Sequence, residues 1–186
     1  MNGHTLHRGY TLVELMVTLV IMGIAAALLV PALGDFGAIE TQAAVRRLVS
    51  DITFAQSDAV ARQGYRRVHF FDDGTGWCLV QVDDGAFFDA FNASTADFLA
   101  DPSSVNRSGG HFIVDFAQDD RFESVQIESV TTAEGGSDLT FDALGGTVSA
   151  PGTAAGAVTV VLAGDDSRWE VDVAPVTGRT SVQKLN

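Results

Sequence analysis

The feature that most constrains this chain is an uninterrupted apolar run near its start. Nineteen residues from Leu15 to Leu33 carry no charge, and a helix of that length, rising ~1.5 Å per residue, extends roughly 28 Å. This matches the hydrocarbon core of a bilayer, so the run predicts a transmembrane helix. Arg8 precedes the run, whereas Asp35 and Glu40 follow it. That charge bias predicts a cytoplasmic N-terminus, with the rest of the chain outside.

One carboxylate, that of Glu14, stands at the head of this run. A carboxylate at the edge of an apolar helix costs about 1 to 3 kcal/mol or more, and such residues are usually retained for a partner. Cleavage between Gly9 and Tyr10 would create an α-amine, mostly protonated with a pKa of about 7.7 to 8, four residues before Glu14. In an assembly, the amine of one subunit could reach the carboxylate of the next. The simpler alternative is that Glu14 only compensates the helix dipole, a gain of at most ~1 kcal/mol.

The segment Gly9-Tyr10-Thr11-Leu12-Val13-Glu14-Leu15 resembles the prepilin signature of type IV pilins and type II secretion pseudopilins. The resemblance implies cleavage after Gly9 by an inner-membrane prepilin peptidase and N-methylation of the new terminal Tyr10. It also implies that Glu14 sets the subunit register in a helical filament. Pro31 lies where these proteins often carry a helix-kinking proline. The first mature residue is Tyr10 instead of the usual Phe, which is a tolerated aromatic change.

An ordinary secretory signal is a rival explanation for the same run. Ala32-Leu33-Gly34 imitates a small-x-small cleavage site, and cleavage there would release a soluble chain. The run is longer than the ~7 to 15 residues of a secretory apolar region, and Glu14 lies at its head. N-terminal sequencing separates the two hypotheses, because the mature chain would start at Asp35 in one and at Tyr10 in the other.

Composition limits the partners of the remaining chain. The 186 residues carry a net charge of −13, which opposes a general affinity for DNA or anionic lipid. Cys78 is the only cysteine, so an internal disulfide and a cysteine metal cluster are both excluded. We expect Cys78 to be a small buried hydrophobe in a strand.

Helical periodicity resumes after Pro31. Apolar and small residues recur at three- and four-residue spacing and predict an amphipathic helix over residues 38–63; they are Val45, Leu48, Val49, Ile52, Ala55, Gln56 and Ala59. Together with residues 10–34 this forms one long predicted helix. Its first half belongs in lipid or filament core and its second half on a globular head. Arg46 and Arg47 are expected to be solvated or paired.

After Gly64 the helical spacing of apolar residues gives way to an alternation of apolar and polar residues. Residues 65–186 are therefore predicted to be mostly antiparallel β-structure. Residues 67–71 and 77–82 read as a hairpin with a glycine-rich turn. Further strands are predicted at 111–116, 122–130, 138–141, 157–163, 168–174 and 180–185. The fold class is α+β, because the strands follow a long helix and do not alternate with helices.

Residues 83–110 form a long excursion between strands. The segment contains Phe87, Phe88, Phe91 and Phe98, which we expect to hold it against the body. The alternative is an exposed aromatic patch for a partner.

Arg47 and three loose motifs carry a second resemblance, to the H-type minor pseudopilin and its relative, the T-type minor pilin. The motifs are Ala55 to Gly64, Leu139 to Gly146, and Val176 to Arg179. The resemblance implies a β-sandwich-like head on a long helix and a place at or near the tip of a periplasmic pseudopilus. Some T-type relatives bind DNA through Gly-Arg-x-Arg. Here Gly178 and Arg179 keep only the first arginine, and Arg179 is more simply a turn residue.

Catalytic and metal-binding patterns are weak. Beyond the leader the histidines are His69 and His111, both in strand-like runs, and neither Gly-x-Ser-x-Gly nor His-Glu-x-x-His occurs. Paired aspartates, such as Asp72-Asp73 and Asp119-Asp120, could offer oxygen to calcium but lack EF-hand spacing. We therefore assign no catalytic residue, metal or cofactor.

These observations predict a leader over residues 1–9, a transmembrane and filament-core helix over 10–34, and a periplasmic head over 35–186. The expected function is a minor pseudopilin of type II secretion, anchored in the bacterial inner membrane and working through assembly. Its expected partners are the prepilin peptidase, other major and minor pseudopilins, and subunits or secretion cargo that touch the head. The alternative is a T-type minor pilin for DNA uptake, with Arg179 as its nucleic-acid contact. A secreted enzyme is the third hypothesis.

Overall fold

The computed structural model describes residues 10–32, 36–102, 109–133 and 135–185. The chain divides into two compact units, Met1–Phe36 and Gly37–Asn186. The predicted leader, including Gly9, lies outside the described residues.

Helix α1, Leu12–Ala32, is the regular element of the first unit. It carries one charged residue, Glu14, in its first turn, and Pro31 lies in its final turn, where the kink stays a prediction. Within the ranges that the structure describes, no helix combines the length and the hydropathy needed to cross a membrane. The transmembrane helix predicted over residues 10–34 stays a prediction.

Helix α2, Phe36–Arg62, opens the second unit. Its buried residues follow the predicted helical spacing, and they are Thr41, Ala44, Val45, Leu48, Asp51, Ile52, Ala55 and Ala59. Gln63 follows the helix with a positive φ of 53°, and the Gly64 N–H donates to the Ala59 carbonyl at 3.2 Å. Residues 33–35, where the single predicted helix would join α1 to α2, lie outside the described residues.

Eleven strands follow, and every pairing between them that the structure describes is antiparallel. The first sheet has the order β3-β2-β1-β6, with β4 also beside β2; its strands are β1 Tyr65–Phe70, β2 Gly76–Val82, β3 Asp97–Phe98, β4 Ile113–Asp115 and β6 Asp138–Phe141. The second sheet has the order β11-β10-β9-β5; its strands are β5 Gln126–Thr132, β9 Val158–Ala163, β10 Arg168–Val173 and β11 Thr180–Lys184. Strands β7 Val148–Ala150 and β8 Thr153–Ala154 form a small separate ribbon.

Most predicted strands are confirmed, with two kinds of difference. The strand predicted at 122–130 begins only at Gln126, because residues 120–122 form a 3-10 turn whose Arg121 N–H donates to the Asp119 carboxylate. Strands β3, β7 and β8 were not predicted, since two or three residues are too few to show alternation.

One core joins α2 to both sheets, which confirms the α+β fold class. It contains Leu48 and Ile52 from the helix, Trp77 from the first sheet and Val160 from the second. Because both sheets bury apolar residues against α2, the head is a sandwich-like arrangement in which the two sheets share one core with the helix.

A second apolar cluster covers the other face of the first sheet. Cys78 and Val80 of β2 lie there with Phe87 of the excursion, and Phe91 and Phe98 pack against them. The expected burial of Cys78 is confirmed, and burial raises the pKa of its thiol to about 12. Phe88 was expected to hold the excursion down, and that expectation is wrong because its side chain is 77% exposed.

Candidate functional site

The start of α1 carries the residues singled out by the prepilin signature. Thr11 precedes the helix, and its hydroxyl accepts a hydrogen bond from the Glu14 backbone N–H at 3.2 Å. The Thr11 carbonyl accepts from the Leu15 N–H at 3.1 Å. Thr11 is thus the N-cap, and Glu14 occupies the third helical position of a Ser/Thr-x-x-Glu capping sequence.

This geometry places the Glu14 carboxylate at the positive end of the helix dipole. Tyr10, the predicted first mature residue, lies one position before the cap and is 81% exposed. An amine at Tyr10 would therefore begin the chain immediately outside the first turn. Sequence analysis gave Thr11 no role, although threonine three residues before glutamate was a readable signal.

The side chains described along α1 are exposed all around the helix. Leu12 at the start of the helix is 76% exposed, Val17 in the second turn is 50% exposed, and Met22 at the middle is 69% exposed. A helix that is apolar all round requires an apolar environment that surrounds it. Within the first unit, the described residues do not supply that environment.

In the head, the three motifs of the second resemblance meet at one side chain. The Gln56 amide nitrogen donates to the Gly145 carbonyl at 2.7 Å and to the Thr177 carbonyl at 2.9 Å. Helix α2 thereby ties together the turn after β6 and the turn before β11. The sequence had placed Gln56 in the apolar stripe, whereas its function in the structure is polar.

The turn before β11 needs a glycine at position 178. Gly178 has a φ of 62°, and an added Cβ would lie 2.5 Å from the Gln56 amide nitrogen and 2.8 Å from Cε1 of Phe141. A side chain at this position would push the helix and the turn apart. Arg179 follows as an exposed residue, and its carbonyl accepts from the Ala174 N–H at 2.9 Å. The turn role predicted for Arg179 is therefore seen in the backbone.

A buried polar cluster lies between α2 and β2. The Asp51 carboxylate accepts from Arg47 Nε at 2.9 Å and from the indole N–H of Trp77 at 3.0 Å. Arg47 also contacts Asp101 at 3.3 Å, so its expected pairing is confirmed. Asp51 is 3% exposed, although charged residues of an amphipathic helix usually lie on its polar side. Burial is the main cause that raises the pKa of Asp51, to about 6, against the opposing effect of Arg47.

Neighbouring arginines of β1 point to opposite faces of the sheet. Arg66 Nε donates to Asp58 of α2 at 2.5 Å, whereas Arg67 donates to the Phe87 carbonyl of the excursion and to Thr140. Alternate strand side chains face opposite sides, so one arginine fastens the helix and the next fastens the excursion.

His69 and His111 are engaged in packing. His69 Nδ1 lies 2.6 Å from Asp138 Oδ1, and its ring stacks on Phe91 at 4.0 Å between centroids. The His111 ring lies 4.9 Å from that of Phe98. Across the residues described here, no group of three or more His, Cys, Asp or Glu side chains is arranged to hold a metal ion.

Comparison with known proteins gives two family matches. Residues 5–30 match the prokaryotic N-terminal methylation motif, and residues 44–177 match the family described as type II transport protein GspH. No curated protein matches the chain.

Among solved structures, two crystal forms of the type IV minor pilin FimU from Pseudomonas aeruginosa PAO1 are similar, each at 18% sequence identity. One has a TM-score of 0.43 and covers 76% of this chain and 91% of that one. The other has a TM-score of 0.45 and covers 78% and 90%.

Proposed function

Because the chain belongs to the type II transport protein GspH family, we propose that it is a minor pseudopilin, a structural subunit that assembles through its N-terminal helix. The finer assignment is a place at or near the tip of a type II secretion pseudopilus. Its partners there are other major and minor pseudopilins, and its head contacts tip subunits or secretion cargo.

The observation that carries this proposal is the exposed apolar surface of α1. From Leu12 to Ala27 every side chain is exposed, and Glu14 is the helix's single charged residue. Burying an apolar side chain such as Leu or Ile gains about 1.5 to 3 kcal/mol. Packing of α1 against the equivalent helices of neighbouring subunits would recover that free energy for many side chains at once.

In this arrangement Glu14 sets the register of one subunit's helix against the helices of its neighbours. A carboxylate among apolar helices needs a counter-charge, and in the proposal the amine of Tyr10 on a neighbouring subunit provides it. The N-terminal methylation motif over residues 5–30 supports processing by prepilin peptidase between Gly9 and Tyr10, followed by N-methylation of Tyr10. Before assembly the chain is held at the inner membrane through its pilin-type helix, with the head in the periplasm.

The proposed role includes no reaction of its own, because the work of the chain is assembly and its chemistry is done to it by the peptidase. The buried clusters of the head support this view. Asp51 and His69 are occupied by partners within the fold.

A Glu14→Ala variant tests the register role. In cells that express the partner subunits, we expect normal cleavage after Gly9 and normal recovery with membranes, but at least a tenfold loss from the sheared filament fraction. That loss corresponds to ~1.4 kcal/mol or more, which is within the cost of leaving a buried charge unpaired. Thr18→Ala is the matched control, since Thr18 lies one turn further along the same helix and keeps the charge.

The mass and N-terminal sequence of the mature chain complete the test. A chain that starts at methylated Tyr10 supports the proposal, and one that starts at Asp35 contradicts it. Normal incorporation of the Glu14→Ala variant would contradict the register role while leaving the processing step standing.

A further inference from the structure

The two edges of the second sheet differ in how they are covered. At the β5 edge the pairing is interrupted by an irregularity between Ile127 and Ser129, and the Ile127 N–H donates to the Gly74 carbonyl of the β1–β2 turn at 2.9 Å. A bulge together with a covering turn is how proteins close a sheet edge against further pairing. The β5 edge is therefore guarded.

The opposite edge, β11, is open. Strand β11 pairs with β10, and the Leu185 N–H donates to the Arg168 carbonyl just beyond the strand at 2.9 Å. Backbone groups alternate in an antiparallel pair, so Ser181 and Gln183 face β10, whereas Thr180, Val182 and Lys184 direct their N–H and C=O groups outward. Among the residues that the structure describes, none accepts or donates a hydrogen bond to these outward groups.

The side chains at this edge are also incompletely covered. Val182 stands opposite Val171, and Val171 is fully buried whereas Val182 is 43% exposed. The apolar face of the sheet thus opens to solvent at its last strand. A further strand would extend the sheet and cover Val182.

Charge distinguishes this edge from the rest of the molecule. The chain carries a net charge of −13, yet β11 has no acidic residue, follows directly after Arg179 and ends at Lys184, the only lysine of the chain. The Lys184 ammonium lies 5.9 Å from the centre of the Trp169 ring, so it rests on the face of the sheet. A lysine in that position does not block approach along the edge.

We propose that the open edge of β11 is a docking site for an extended, acidic segment of a partner protein, which adds a strand to the second sheet. The segment's backbone pairs with the outward groups of Thr180, Val182 and Lys184. One of its apolar side chains covers Val182, and its carboxylates lie on the opposite face, towards Arg179, with Lys184 adding positive charge at the end of the strand. Strand addition of this kind takes its affinity from the main chain and its selectivity from alternate side chains. It does not depend on assembly through α1.

Val182→Pro is the discriminating variant. Proline removes an N–H that points away from β10, so the bonds of the existing sheet remain, and proline is tolerated at such edge positions. Val182→Thr is the matched control, because it keeps the N–H and a β-branched side chain.

The probe is a capped ten-residue peptide of alternating valine and glutamate, added to the full chain in detergent. We expect it to slow amide exchange at Thr180, Val182 and Lys184 at least tenfold. Val182→Pro should bind it at least tenfold more weakly, and Val182→Thr should bind within threefold of the parent. A peptide of alternating valine and lysine should bind the parent at least tenfold more weakly than the acidic one.

A double variant, Arg179→Glu with Lys184→Glu, keeps the test decisive if Val182→Pro does not fold, as judged by thermal unfolding. It should reverse the preference between the two peptides. The proposal would be overturned if folded Val182→Pro bound the acidic peptide as tightly as the parent does. It would also be overturned if the peptide slowed exchange only at amides outside β11. In the absence of peptide, the same amides could become protected as the protein concentration rises. That result would show pairing between two copies of this chain and would overturn the assignment to a different partner.

Discussion

The two helices of this chain have the same backbone and opposite surroundings. The described side chains of α1 are exposed on every side, whereas α2 buries a continuous stripe that includes Leu48 and Ile52, both fully inaccessible. Helices draw most of their stability from packing rather than from intrinsic propensity. The comparison indicates that α2 is stabilised within its own unit, whereas in the function proposed above α1 is stabilised by apolar helices of neighbouring subunits.

The polar contacts of the two helices differ in the same way as their apolar contacts. Helix α2 uses Gln56 and Asp58 to reach the turns and strands of the head. Among the described residues, the side-chain hydrogen bonds of α1 are local: the Glu14 N–H donates to the Thr11 hydroxyl, and the Thr18 hydroxyl donates to the Leu15 carbonyl. A helix with only local bonds can change its surroundings without breaking a tertiary contact.

The largest expected effect is that of truncating the buried stripe. Leu48→Ala should lower the free energy of unfolding of the head by about 2 to 5 kcal/mol, because it removes apolar contacts and leaves a cavity. Urea denaturation followed by Trp fluorescence measures this loss, since Trp77 lies in the same core.

Leu19→Ala is the control in the other helix. Leu19 is 61% exposed, and substitution of an exposed residue changes unfolding free energy by about 0.5 kcal/mol or less. Equal losses for Leu48→Ala and Leu19→Ala would break the comparison between the helices.

The next effect depends on pH and concerns Asp51. Its pKa is raised from 3.8 to about 6 in the folded head, so between these values the folded chain holds a proton that the unfolded chain has lost. This contribution to stability is fully present below pH 3.8 and is lost as pH rises through about 6. Each pKa unit is worth ~1.4 kcal/mol, so the loss is about 3 kcal/mol.

Asp51→Asn isolates that contribution, because asparagine cannot ionise. Between pH 3 and pH 7, the free energy of unfolding of the parent should fall by about 3 kcal/mol relative to that of the variant. Asp165→Asn, at an exposed turn position, should follow the parent. Parallel pH curves for the parent and Asp51→Asn would show that burial does not control this carboxyl.

Local patterns were sufficient to predict much of the fold. The stripe of α2 and the pair β9 and β10 follow from periods of about 3.6 and 2 residues within continuous segments. The short turn after Ala163 was also readable from its composition.

Residues whose environment is made by a distant segment could not be predicted from local sequence. The burial of Asp51 could not be predicted from the helix alone, because its partner, Trp77, comes 26 positions later. Gln56 was counted as part of the stripe because its two acceptors lie 89 and 121 positions away. Phe87 and Phe88 are the same residue type at adjacent positions, so the sequence does not distinguish them. In the structure Phe87 is buried and Phe88 is exposed.

The smallest effect tests the start of α1. Thr11→Ala removes the hydroxyl that accepts the Glu14 N–H, and loss of such a cap costs about 0.5 to 2 kcal/mol. In detergent, amide exchange at Glu14 should therefore quicken roughly tenfold, which corresponds to ~1.4 kcal/mol. Thr11→Ser should restore the slow rate, because serine is an equally good cap.

Thr18→Ala is the internal control for this last effect. The Thr18 hydroxyl donates to the Leu15 carbonyl at 2.9 Å, a mid-helix bond that adds nothing to helix stability, so its loss should leave the Glu14 exchange rate unchanged. If Thr11→Ala also leaves that rate unchanged, the first turn of α1 is not held by its own cap. The helix would then depend on its surroundings for its start as well as for its length, and the contrast with α2 would be sharper.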